Sequence, residues 1–145
     1  MQFKPTLLTL FLTSASARAL LPRADAQWTL NALSRACDAA DTSCTWKFGI
    51  NTNTAGVNAT ACTLVVKGTT AVPKASEANG GPSQCGAFQI TSGWSGQFGP
   101  GEGFTVISVV ETATQKIIYG GYKDTQVQDG KVVDPDLSFT VQQVP

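Results

Sequence analysis

The chain is 145 residues long, balances 10 Lys+Arg against 10 Asp+Glu, and contains no histidine. A neutral chain with no run of basic residues lacks the electrostatic footprint that a phosphate backbone demands, so no nucleic-acid partner is expected. The missing imidazole removes the usual general base at neutral pH and the commonest metal ligand.

Residues 1–19 have the layout of a cleavable export signal: Lys4 supplies the charge, residues 7–12 the apolar stretch, and small residues follow. Ala15-Ser16-Ala17 and Ala17-Arg18-Ala19 both satisfy the small-x-small cleavage pattern, placing the cut after Ala17 or Ala19. The apolar stretch is far short of the ~20 residues that cross a bilayer, so no membrane insertion is expected. Residues 20–145 then form one secreted domain. Loss of Lys4 and Arg18 leaves eight basic against ten acidic residues, a formal charge of −2.

Strand signals follow in order. Trp28, Leu30 and Ala32 begin a period-2 pattern, and Cys44, Trp46, Phe48 and Ile50 alternate with Thr45, Lys47, Gly49 and Asn51. Apolar runs come at residues 62–66, 87–90, 104–110 and 117–122. Residues 105–110 are apolar on both faces, as in a central strand covered on each side. The last strand alternates Leu137, Phe139 and Val141 with Ser138, Thr140 and Gln142. Residues 79–82, 99–101, 112–115, 129–130 and 134–136 supply turns, and residues 72–83 read as a long surface loop. The expected fold is all-β: a compact antiparallel β-sandwich or β-barrel of about seven or eight short strands.

Cys37, Cys44, Cys62 and Cys85 all lie beyond the signal, and an exported chain meets an oxidising compartment where thiols pair. Cys37 and Cys44 close a loop of turn formers and are paired here, which leaves Cys62 with Cys85; three connectivities are open in principle. A zinc site fits neither the spacings nor the compartment, so no metal and no cofactor is expected.

No catalytic residue is assigned. Gly93-Trp94-Ser95-Gly96 is one residue short of a nucleophile elbow and reads as a turn. Paired cysteines are not nucleophiles, which leaves carboxylates: Glu102, Glu111, Asp124, Asp134 and Asp136 are the candidates for a glycosidase pair, against a reading as solvated loop and strand-end charges. Residues 94–104 combine three aromatics with glycines and a proline. They lack the Lys-Ser/Thr and the helix of a phosphate loop. Two readings remain: a packed loop whose Trp94 and Phe98 plug one end of the core, or an aromatic platform on which Trp94, Phe98 and Tyr122 bind a sugar face or a partner. Asn58-Ala59-Thr60 is an N-glycosylation sequon in a polar stretch.

Trp28, Arg35-Ala36-Cys37-Asp38, Ser43-Cys44-Thr45-Trp46, Cys85-Gly86-Ala87-Phe88, residues 94–104 and the 135–145 terminus together resemble small secreted proteins of filamentous ascomycete fungi. That group is similar to the hypersensitive-response-inducing proteins and, more loosely, to secreted fungal β-barrel allergens. The resemblance implies export, a β fold and recognition by host plant cells, with no reaction attached. The functional expectation is therefore a non-enzymatic effector or elicitor that meets a host receptor. An extracellular cell-wall glycan-binding module is the alternative, and a carboxylate-dependent glycoside hydrolase the second alternative.

Overall fold

The computed structural model describes residues 25–145, so the export signal expected at residues 1–19 lies outside the described residues. Among the described residues, nine strands form two wholly antiparallel sheets. The first sheet orders β3 (Thr60–Lys67), β2 (Ser43–Asn51), β1 (Gln27–Cys37) and β8 (Leu137–Thr140). The second orders β4 (Gly80–Cys85), β5 (Phe88–Ser95), β6 (Phe104–Glu111), β7 (Lys116–Lys123) and β9 (Gln142–Gln143). The architecture is a sandwich rather than a closed barrel.

Period-2 burial decides which face of each strand meets the other sheet. Cys44, Trp46, Phe48 and Ile50 of β2 are all buried, and Leu64 and Val66 of β3 lie beside them. Ile90, Ile107, Val109 and Ile118 answer from the second sheet, each essentially inaccessible. Burying each such side chain contributes roughly 1.5–3 kcal/mol. Trp28 of β1 meets Phe88 of β5 edge to face across the interface, with ring centroids 5.6 Å apart. β6 is the middle strand of its sheet, and the outward side chains Val106, Ser108 and Val110 are only partly exposed.

Both seams between the sheets are pinned. The Cys62–Cys85 disulfide joins edge strand β3 to edge strand β4. At the other seam the chain itself crosses, leaving β8 in the first sheet and entering β9 in the second around half-buried Val141. Cys37 and Cys44 face each other in the β1–β2 ladder and form the second disulfide, and no free cysteine remains among the described residues.

Three segments depart from the sequence reading. The alternation of Trp28, Leu30 and Ala32 breaks after Leu30, because the β1–β2 register shifts between Asn31 and Ser34 and Ala32 takes φ 46°. This bulge inserts a residue, so Leu33 and Arg35 face inward. Residues 72–83 are not all loop: a 3-10 turn occupies Ala75–Glu77, and β4 begins at Gly80. Gly93-Trp94-Ser95-Gly96 is not a turn, since β5 continues through Trp94 to Ser95, paired with Thr105 and Phe104.

The strand directions give the sandwich two ends. One gathers the β1–β2 turn, the 68–79 connection, the β5–β6 loop and the short helix α1 (Asp124–Val127) that follows β7. The other gathers the β2–β3 loop, the β4–β5 turn and the β6–β7 turn, where Thr112 N–H donates to Ala87 O at 3.3 Å.

Candidate functional site

The end that carries α1 holds a charged network built by the bulge in β1. Arg35, turned inward by that bulge, is 6% exposed and lies 5.4 Å from the Trp46 ring centroid. Its Nη1 donates to Asp124 Oδ1 at 2.8 Å and to Ser76 O at 3.3 Å. The second oxygen of Asp124 accepts the Trp94 indole N–H at 2.9 Å. Ser76 is itself held by Asp41, whose Oδ1 accepts its backbone N–H at 2.8 Å. One carboxylate thus ties β1, β5 and α1 together, and both of its oxygens are occupied.

Two of the four glycines in the 94–104 segment, Gly96 and Gly103, serve this network. A Cβ on Gly103 would stand 2.3 Å from Asp124 Oδ2 and 2.9 Å from the Trp94 ring, and one on Gly96 would stand 2.5 Å from the far edge of that ring. The indole is therefore clamped between two positions that admit no side chain. Trp94 works as a packed anchor. Its neighbour Phe98 does not: that ring is 68% exposed and stacks on Phe104 at 5.8 Å with an interplanar angle of 29°.

The three aromatics proposed as a platform differ in exposure. Tyr122 is 1% exposed and turns its ring into the core against Phe139, at 5.9 Å and 71°. It sits on the inward side of β7, in step with Ile118, so its ring offers no stacking face to solvent. Burial pushes its phenol pKa far up, with the Asp136 charge adding to the effect, and the hydroxyl finds no hydrogen-bond partner among the described residues. Phe98 and Phe104 border an open groove of about 480 Å³ together with Glu102, Gly121, Tyr122, Lys123 and Gln126. Sequence reasoning missed Lys123 and Gln126. They stand at the β7–α1 junction, where Gln126 Oε1 accepts the Lys123 backbone N–H at 2.8 Å, and no local pattern marks them.

Most of the candidate carboxylates are engaged in hydrogen bonds of the fold, and the Glu102 loop lies against Asp124, whose N–H donates to Gly103 O at 2.9 Å. Asp124 is engaged by Arg35 and Trp94. Asp136 closes the β1 bulge, accepting the Ala32 N–H at 2.7 Å and the Asn31 amide at 2.8 Å. Glu111 accepts the Thr114 hydroxyl at the far end of β6 from the Glu102 loop. At ~3.4 Å per residue that strand separates the two by about 24 Å, well beyond the spacing of a glycosidase pair. Asp134 is exposed in the segment before β8. Cys37, Asp41 and Cys44 converge, yet the two sulfurs are spent on their disulfide and are not thiolate ligands.

Residues 29–144 match the family described as Effector TSP1. The chain belongs to the Effector TSP1 family. It is 45% identical over 152 residues to Effector TSP1 of Hypocrea virens (strain Gv29-8 / FGSC 10586), with 100% of both chains covered. The match to the Effector TSP1 family starts at Thr29 in β1 and ends at Val144, so it takes in both sheets, both disulfides and the Arg35–Asp124–Trp94 network. The expected kinship with fungal effector-like proteins is therefore established.

Proposed function

We propose that this protein is a secreted, non-catalytic fungal effector that host plant cells recognise, and that the surface around Phe98 is where they do so. Residues 20–145 are the mature extracellular domain in this reading. Membership of the Effector TSP1 family supports the class, and two disulfides suit an oxidising compartment. The observation that carries the surface is the contrast between neighbours. Trp94 is locked by Asp124, Gly96 and Gly103, whereas Phe98 is held out in solvent on Phe104 beside a groove edged by both Glu102 and Lys123. An exposed aromatic with charged neighbours is the composition of an interaction anchor.

Infiltration of the purified protein into leaves tests this. The native chain triggers a local defence response, and Phe98→Ala requires at least about a tenfold higher dose, equivalent to ~1.4 kcal/mol of lost contact. The variant stays folded, because an exposed side chain away from the core contributes within about 0.5 kcal/mol. A complete absence of response to the native protein at every dose rejects host recognition.

A glycan-binding reading draws on the same stacked pair, since a ring face beside amide and charged groups suits a sugar. Retention of the native protein, but not of Phe98→Ala, on chitin or cell-wall glucan selects it over a protein receptor.

A further inference from the structure

The chain has five asparagines, and four of them hold the fold together. Asn31 donates to Asp136, Asn51 accepts the Asn53 backbone N–H, Asn53 donates to Gln27 O and Thr29 Oγ1, and Asn79 accepts the Trp94 backbone N–H. Asn58 is the exception: it is exposed, and its side chain makes no hydrogen bond among the described residues. It heads Asn58-Ala59-Thr60, and residues 53–59 are exposed throughout.

The surrounding backbone presents this side chain in a defined place. Val57 N–H closes a tight turn onto Thr54 O at 3.1 Å, with Gly56 at φ 75°, and Asn53 anchors the base of the loop to β1. Thr60 then enters β3 opposite Ile50. Asn58 is exposed, so a bulky group on its Nδ2 can extend into solvent. The β2–β3 loop also lies at the end of the sandwich remote from α1 and the Phe98 loop.

We infer that Asn58 is an N-glycosylation site, and that its oligosaccharide covers the β2–β3 end of the sandwich while leaving the Phe98 end bare. The inference rests on the reading of the chain as secreted. The donor is a lipid-linked oligosaccharide pyrophosphate. Sugar C1 forms a bond to Asn58 Nδ2 as the C1–O bond to pyrophosphate breaks, the lipid pyrophosphate leaves with the electron pair, and the amide loses one proton to a base. Thr60 supplies the hydroxyl that the sequon requires.

The test expresses the full-length chain in a filamentous fungus and collects the medium. Treatment with a peptide N-glycosidase lowers the mass of the native protein, and in the reduced tryptic peptide of residues 48–67 it converts Asn58 to aspartate. Asn58→Gln and Thr60→Val abolish the mass change, Thr60→Ser retains it, and Asn58→Gln leaves the dose that triggers the leaf response unchanged. Protein present in the medium with an unmodified Asn58 overturns this site alone. Protein retained inside the cells overturns the secretion reading and this site with it. A leaf response altered in Asn58→Gln overturns the assignment of the glycan to an end remote from recognition.

Discussion

The carboxylate of Asp124 and the guanidinium of Arg35 meet at 2.8 Å across 89 residues of sequence, with the Arg35 side chain 7% and the Asp124 side chain 28% exposed. A cation this deep is tolerated because Asp124, Ser76 O and the Trp46 face surround it. The pair fastens the first sheet to the helix that follows the second.

Removing Asp124 strands that cation. Asp124→Ala is expected to lower stability by about 3 kcal/mol, the low end for breaking a buried pair because Asp124 keeps some contact with water. The same substitution frees the Trp94 indole, so urea midpoints and tryptophan fluorescence shift together. An unchanged midpoint refutes the bond as a structural link.

Gly103 is the most demanding position in the 94–104 segment. Gly103→Ala places a methyl group 2.3 Å from Asp124 Oδ2 and against the indole, and is expected to cost about 1–3 kcal/mol. Gly101, with nothing within 4 Å of an added Cβ, has no steric conflict and differs only in its φ of 77°. Thermal unfolding of both alanine variants separates the clamp from backbone strain. The steric account requires Trp94 fluorescence in the folded state to change for Gly103→Ala alone.

Acid stability is expected to depend on Asp136. The Asn31 amide, and then the Ala32 N–H, hold its carboxyl below the ordinary 3.8. The folded value lies beneath the unfolded one, so this contribution is complete above about pH 4 and disappears as pH falls through the folded value. Asp38 behaves alike: the Thr42 hydroxyl first, and then the Thr42 and Ser43 backbone N–H groups, lower its pKa in the β1–β2 turn. Asp136→Asn is expected to narrow the loss of stability between about pH 6 and about pH 2, as measured by denaturant unfolding at each. An identical loss in the variant removes the bulge carboxylate from the account.

Much of the sandwich was legible along the chain, because a strand that buries one face writes a two-residue period wherever its ladder is regular. Cys44 to Ile50 in β2 and Leu137 to Phe139 in β8 carry that period openly. The 112–115 turn appears as a cluster of short polar residues between two apolar runs. Four cysteines beyond an export-like leader already pointed toward a stapled fold.

Tertiary structure alone decided where the period slips and what the odd residues do. The bulge at Ala32 exists because Asp136, more than a hundred residues away, accepts the N–H that the ladder leaves over, and that slip turns Arg35 inward. Tyr122 and Phe98 look alike as aromatic neighbours of glycine, yet one faces the core and the other water, according to strand parity and loop geometry. Trp94 needs Gly103 and Asp124 around it for reasons of distance in space. A local pattern records which face a strand buries; which distant group completes a carboxylate or clamps an indole is set only when the two sheets close.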